Sequence, residues 1–299
     1  MKILVTGATG LVGSALLPSL RAKGHEVFSL VRSTPKSGAA EIFWDPSKGV
    51  LNAAELEGFD AVVHLAGESI AEGRWTDEKK RRIRESRVKG TTLLSETLAK
   101  LNQKPEVLVS ASAVGFYGSR VDEVLTEQSA SGSDFLAEVC REWELATQSA
   151  AQAGVRVVNL RFGVILSREG GALMKMLFPF RMGVGGKLGS GQQYMSWIAL
   201  DDAVGAIEHA IENKSLRGPV NAVAPDAVTN KEFTKALGHA LKRPTIFPVP
   251  AFAARLVFGE MADATLLASQ RAEPERLKGT GYIFKFPEVE GALKHVLKD

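Results

Sequence analysis

Apolar residues in this chain arrive as short β-branched runs, separated by stretches in which they recur every three or four positions. Ile3-Leu4-Val5 is the first run; from Leu11 onward Leu11, Val12, Leu16, Leu17 and Leu20 keep a helical period, Gly24 stops it, and Val27, Phe28, Leu30 and Val31 form the next run. The short runs read as buried strands and the periodic stretches as helices lying on them. The same reading predicts a third short strand at Ile42–Trp44, a fourth at Ala61–Gly67, a long helix over 77–101 capped by Thr76 or Asp77, and a fifth strand at Val107–Ser112. A helix over about 133–153, a sixth strand at Val155–Arg161, and strands at 197–200 and 219–223 flanking a helix at 203–212 complete the series. Strand alternating with helix in this way requires an α/β fold with a doubly wound parallel sheet. The alternation fails in the glycine-rich stretch 170–195 and in the tail after Pro225. We therefore expect a dinucleotide-binding domain from 1–169 plus 196–225, and a smaller C-terminal substrate lobe from 170–195 plus 226–299. The lobe should lie over the strand ends, where open α/β sheets bind ligands.

Gly7, Gly10 and Gly13 stand at three-residue spacing between the first strand and the first helix. That order makes a dinucleotide cradle of the Rossmann type. Gly7 permits the tight turn, Gly10 lets backbone N–H groups approach a pyrophosphate, and Gly13 lets the helix pack with its N-terminus, Leu11 and Val12, towards the phosphates. The end of the second strand distinguishes the dinucleotides. An acid there would accept hydrogen bonds from a ribose 2′-hydroxyl, but this chain has Arg32 followed by Ser33. A guanidinium can hold a 2′-phosphate that an acid would repel, so the expected cofactor is NADP(H). Leu65, Ala66 and Gly67 close the fourth strand in a turn where backbone can run close to the cofactor.

Of the 299 residues 45% are hydrophobic and 24% charged, which suits a globular protein with room for one large or two smaller domains. The 37 basic and 34 acidic residues leave only +3, and nothing in that balance calls for nucleic acid or an anionic membrane as partner. The single cysteine, Cys140, excludes an intramolecular disulfide, and five scattered histidines offer no metal-ligand cluster. The chain enters a strand at once and has no apolar run of the roughly 18 residues a spanning helix needs, so a cytoplasmic protein is expected.

Thr6-Gly-Ala-Thr-Gly-Leu-Val-Gly13, Leu65-Ala-Gly67, the strand ending Ser110-Ala-Ser112 with Tyr117-Gly118 beyond it, and Asp201-Asp202 after a Trp-Ile strand resemble an extended short-chain dehydrogenase/reductase. Gly67-Glu-Ser-Ile-Ala71, Arg74-Trp75-Thr76, Ser86-Arg87, Phe178-Pro-Phe-Arg181, Gly189-Ser-Gly-Gln192 and Gly281-Tyr-Ile-Phe-Lys-Phe-Pro287 narrow the resemblance to its atypical, sugar-nucleotide-epimerase-like branch. The resemblance implies hydride exchange with a nicotinamide cofactor. It also implies a Tyr-x-x-x-Lys pair on the helix after the fifth strand, and a Ser or Thr at that strand's end orienting the same substrate oxygen. Here the chain departs from the pattern: Leu136 stands where the tyrosine belongs and Cys140 where the lysine belongs. Neither can carry the proton relay. Ala199 similarly replaces a histidine that this branch tends to have. The resemblance further places Arg87 on the cofactor-facing side of its helix, where other members have asparagine, adds Val164 to the cofactor-contacting set, and implies a homodimer through the long helices.

The remaining candidates each carry two readings. Ser112 would orient a substrate oxygen, although an ungapped count from Tyr117-Gly118 lands on Ala113. Tyr117 is the nearest phenol to the vacant position, or a packing residue with a bonded hydroxyl. Glu68 and Arg74 would bind a polar substrate or form a surface ion pair. His64 reads as a satisfied core histidine, Lys79 to Arg82 as a solvated charge run, and Cys140 as packing without a base to activate it. Two functions remain open: an NADP(H)-binding epimerase-like oxidoreductase acting on a polar small molecule, or a non-catalytic NADP(H)-binding sensor.

Overall fold

Ile3, Leu4 and Val5 are fully buried, and the strand they belong to, β1 (Lys2–Thr6), lies at the centre of the sheet in this computed structural model, which describes residues 1–298. The chain continues through α1 (Leu11–Ala22), β2 (Glu26–Val31), β3 (Glu41–Asp45), β4 (Val50–Leu51), β5 (Ala61–His64), α2 (Asp77–Lys100), β6 (Val107–Ala113) and β7 (Val124–Leu125). Then come α3 (Phe135–Leu145), α4 (Gln148–Gln152), β8 (Arg156–Phe162), β9 (Val164–Leu166), α5 (Gly171–Arg181), β10 (Tyr194–Met195), β11 (Trp197–Ala199), α6 (Leu200–Glu212) and β12 (Gly218–Ala222). The tail forms β13 (Val228–Thr229), α7 (Asn230–Leu241), α8 (Ala251–Phe258), β14 (Arg271–Ala272), α9 (Glu275–Gly279) and α10 (Val289–Val296).

The main sheet has the order β12-β8-β6-β5-β1-β2-β3-β4, parallel except where β4 returns antiparallel on β3. Successive strands move away from β1 in one direction and from β5 in the other. The order reverses between these two strands, and a crevice opens at their C-terminal ends. Side chains alternate across the sheet as the pleat demands. Ile3 and Val5 pack with Leu16 and Leu20 of α1 and Ile207 of α6, whereas Leu4 and Val62 face Leu94 and Leu98 of α2. A third apolar cluster joins Leu173 and Leu177 of α5, Phe233 and Leu237 of α7, and Leu293 of α10 on Trp197 of β11.

The structure redraws several expected boundaries. The fourth strand stops at His64 rather than Gly67, because the Thr6 hydroxyl accepts the N–H groups of both Leu65 and Ala66 at 3.1 Å. The helix expected over 133–153 is two helices. Between them the Thr147 hydroxyl donates to the Glu144 carbonyl at 2.6 Å, a local bond that competes with the helical ladder. Trp197–Ala199 pairs with β9, outside the main sheet. The stretch 271–284 packs on the sheet side rather than with the lobe expected to hold it: β14 pairs with β7, α9 lies on β12, and Tyr282 and Phe284 join the first core. Fully buried Asp202 clasps this tail, accepting from the Tyr282 hydroxyl at 3.1 Å and from the N–H groups of Lys285 at 2.8 Å and Phe286 at 2.9 Å. Among the described residues no helix is long and apolar enough to cross a membrane.

Candidate functional site

The turn between β1 and α1 is shaped by what its glycines exclude. Gly7 has φ of 70°, in the left-handed region, and a Cβ there would lie 2.8 Å from the Leu65 backbone. At Gly13 a Cβ would stand 2.2 Å from the Gly7 carbonyl oxygen, so the first turn of α1 packs directly on the loop that precedes it. Gly10 differs. Its N–H donates to the Gly7 carbonyl at 3.0 Å, and a Cβ would meet only that oxygen, at 3.2 Å. Gly10 also caps α1 without any side-chain bond, and the first turn holds no acid. The amides of Leu11, Val12 and Gly13 therefore face the crevice uncapped, which fits a pyrophosphate. Arg32 and Ser33 follow β2 on the exposed rim; among the described residues no side chain pairs with Arg32.

His64 sets the opposite wall. The Thr6 hydroxyl accepts two backbone N–H groups, so its own hydrogen goes to His64 Nδ1 at 2.7 Å; His64 Nε2–H then donates to Thr91 Oγ1 at 2.9 Å, which itself donates to the Arg87 carbonyl at 2.7 Å. This chain ties β1, β5 and α2 together below the crevice. Burial pushes the imidazole down to about 4, and its role is structural. The turn it fixes carries Leu65, Ala66 and Gly67, and a Cβ on Gly67 would touch the Arg87 guanidinium carbon at 3.4 Å. Arg87 donates to the Ile83 carbonyl at 3.1 Å and lies 5.0 Å from the Trp143 ring centre, with no carboxylate partner among the described residues. Burial lowers its pKa, because desolvation disfavours the charged form. Val164 opens β9, held by its N–H on the Ser196 carbonyl at 2.8 Å. The Leu11 side chain reaches the Gly170-Gly171 start of α5, where an added Cβ would lie 3.3 Å from its methyl groups, and so joins cradle to lobe.

Leu136 and Cys140, the two residues that the resemblance sets in the places of the tyrosine and lysine, both lie on α3. They face the turn after β6, where a Cβ on Gly115 would meet the Leu136 Cβ at 3.4 Å and the Cys140 sulfur at 3.9 Å. The thiol is buried and burial pushes it up to about 12, so it is not a nucleophile. Tyr117 does not fit the catalytic part expected for it. It is fully buried, its hydroxyl donates to Asn221 Oδ1 at 2.7 Å and accepts from Arg161 at 3.0 Å, and burial raises its pKa further. Ser112 is likewise committed. Its hydroxyl donates to Glu144 at 2.7 Å, and that carboxylate is gripped at 2.8 Å by both Arg161 Nε and Nη2. Sequence reading missed this inward network of Ser112, Glu144, Arg161, Tyr117 and Asn221; an arginine in the apolar run Val155–Arg161 was its one visible sign.

At the mouth, the charge run resolves unevenly. Arg81 and Arg82 are exposed, but Lys79 is buried and meets Glu68 at 2.7 Å, which corrects the expectation of a solvated face. The ammonium holds the Glu68 carboxyl below its usual range. Arg74 donates to the Leu256 and Val257 carbonyls at the end of α8, the latter at 3.3 Å, so it is neither a free substrate ligand nor an ion pair. Ala199 is fully buried. A cavity of about 950 Å³ opens elsewhere, between α3, α4 and edge strand β12, and touches none of the cradle residues. Among the described residues no group of His, Cys, Asp and Glu could hold a metal ion.

Known proteins match both the sequence and the fold of this chain. Residues 3–223 match the model of the NAD dependent epimerase/dehydratase family. The chain belongs to that family. Residues 249–296 match a domain of unknown function, DUF1731, a stretch that holds α8, β14, α9 and α10. An epimerase family protein of Mycobacterium tuberculosis is 44% identical over 291 residues, covering 97% of this chain and 96% of its own. The crystal structure of human epimerase family protein SDR39U1 with NADPH superposes with a TM-score of 0.91 at 36% identity, covering 99% of each chain. A nucleoside-diphosphate sugar epimerase from Corynebacterium glutamicum superposes with a TM-score of 0.81 at 41% identity, over 99% of this chain and 58% of the other. The family and its neighbours are extended short-chain dehydrogenase/reductases, as the motifs implied.

Proposed function

We propose that this protein binds NADP(H) in the Gly7–Gly13 cradle and acts as an epimerase-like oxidoreductase on a polar small molecule held between the crevice and α5. The observation that carries the reading is the set of three uncapped helix amides at the start of α1, suited to a pyrophosphate, together with the exposed Arg32 at the end of β2, without a side-chain partner among the described residues and suited to a 2′-phosphate. The NADPH in the human relative's crystal structure supports the same dinucleotide here. The chemistry such a cofactor supplies is hydride exchange at a carbinol or carbonyl carbon. The amides of Leu11, Val12 and Gly13 would hold its phosphates, and Leu65, Ala66, Gly67 and Val164 would contact it from the neighbouring strand ends. Arg87 offers its free donors to phosphate or ribose. The name of the Corynebacterium glutamicum relative favours a nucleotide-linked sugar as substrate.

A second reading, an NADP(H)-binding sensor without turnover, is favoured by one specific feature: Leu136 and Cys140 fill the relay position while Tyr117 and Ser112 are bonded inward. A screen of NADPH oxidation and NADP reduction against carbonyls, alcohols and nucleotide sugars separates the two. Turnover in the wild type, retained in Tyr117→Phe, is the expected result for an enzyme whose proton moves by another route. Tight NADPH binding with no turnover selects the sensor, and failure to bind NADPH overturns both.

A further inference from the structure

Helix α8 is inside out. A helix on the surface of a globular protein buries its large apolar residues, yet here the buried position is Ala254, while Phe252 is 71% and Leu256 73% exposed. The neighbouring segments share the pattern: Phe178 of α5 is 76% exposed and Ile246 72%. These pieces form one surface. The Arg243 Nε donates to the Arg181 carbonyl at 2.9 Å, the Val249 N–H to the Lys187 carbonyl at 2.8 Å, and the Gly189 N–H to the Val249 carbonyl at 2.9 Å, so 181–189 runs beside 243–249 and α8 follows directly. Exposure this high leaves most of each side chain open to solvent. Contiguous apolar surface of this kind marks a contact with a partner or a membrane.

Charge decides which. Residues 170–200 contain Lys175, Arg181 and Lys187 and no acid; residues 233–259 contain Lys235, Lys242, Arg243 and Arg255 and no acid. Only Arg255 is neutralised, by Asp263 at 2.9 Å; Arg181, Lys242 and Arg243 are exposed with no carboxylate partner among the described residues. A second copy docked on the same face would set these cations against themselves, because a two-fold contact apposes identical patches. The net charge of +3 conceals this concentration; the acids that border the two stretches include Glu260, paired with Lys80 at 2.9 Å, and Asp263, paired with Arg255.

We propose that this face binds peripherally to an anionic bilayer surface. Phe178, Phe252 and Leu256 enter the headgroup boundary, and Arg181, Lys242 and Arg243 meet the lipid charge, the combination by which amphipathic basic segments lie on membranes without crossing them. The test is co-sedimentation of the full chain with vesicles of equimolar phosphatidylglycerol and phosphatidylcholine, and with phosphatidylcholine alone. The wild type should pellet with the anionic vesicles, less so as salt is raised, and remain in solution with the neutral ones. Phe252→Glu with Leu256→Glu should abolish pelleting while leaving the thermal midpoint unchanged, both positions being exposed. Arg181→Glu with Lys242→Glu should weaken it by at least about 25-fold, each basic residue near such a surface contributing about fivefold. The proposal is overturned if the wild type ignores anionic vesicles, or if the charge reversals leave binding intact. It is overturned too if sedimentation velocity shows a dimer that Phe252→Glu with Leu256→Glu converts to monomer, which would make the face a protein interface.

Discussion

Tyr117 donates its phenolic hydrogen to Asn221 across 2.7 Å, linking the turn after β6 to edge strand β12 over 104 positions of sequence. With Arg161 donating to the same oxygen at 3.0 Å, the phenol is an interior cross-brace. Tyr117→Phe should therefore cost about 1–3 kcal/mol of stability, because it leaves the buried Asn221 and Arg161 groups each short of a partner. NADPH affinity should not change. Urea denaturation and calorimetric titration check the two halves, and an unchanged urea midpoint would show that the brace carries no stability.

Cofactor choice should rest on Arg32. If its guanidinium holds a 2′-phosphate, NADPH binds more tightly than NADH, and Arg32→Ala removes most of a difference of about 1.5–3 kcal/mol, or roughly 10- to 150-fold. Equal affinity of the wild type for both dinucleotides contradicts the assignment.

Two glycines of the cradle should fail differently. Gly10→Val meets little protein, so the fold should survive while the branched side chain occupies the pyrophosphate space and NADPH binding is lost. Gly13→Ala puts a Cβ 2.2 Å from the Gly7 oxygen and should lower the thermal midpoint itself. Melting curves with and without NADPH separate the cases.

His64 makes stability depend on pH. The folded protein keeps the imidazole neutral down to about 4, whereas the unfolded chain protonates it near 6.5. Between those values the unfolded state binds more protons, so stability is fully present above pH 6.5 and falls as the pH drops towards 4, by roughly 3 kcal/mol in all. Subtracting the urea-midpoint profile of His64→Gln from that of the wild type isolates this contribution; parallel profiles would show that His64 titrates alike in both states.

Cys140, buried and pushed up to about 12, should resist iodoacetamide in the native protein at pH 8 and react only on unfolding. Mass spectrometry of the native and urea-unfolded protein reads the difference, and rapid native alkylation would place the thiol in solvent.

What the sequence disclosed follows from the range of each interaction. The strand, glycine turn and helix at the N-terminus are local, so Ile3 to Leu20 could be read from period and spacing alone. That Leu136 and Cys140 share one helix was legible because they stand four positions apart in a periodic stretch. The Tyr117 brace was not, because its partners lie on β8 and β12, far along the chain. Lys79 looked like its neighbours in a charge run; only the path of the turn after β5 brings Glu68 over it. The break at Thr147 depends on one hydroxyl choosing the Glu144 carbonyl, a competition that helix propensity leaves nearly balanced.

The clasp on Asp202 bears on the order in which the molecule can assemble. A carboxylate destined for complete burial is synthesised some 80 residues ahead of the Tyr282 hydroxyl and the Lys285 and Phe286 amides that receive it. Until they arrive, closing α6 onto the sheet would strand an unsolvated charge, so the N-terminal half cannot complete its own core while the tail is still being made. The last segment of the chain is thus a condition for finishing the first: a nascent or proteolysed chain ending before Tyr282 should keep α6 loosely docked and vulnerable to proteases, however intact its glycine cradle.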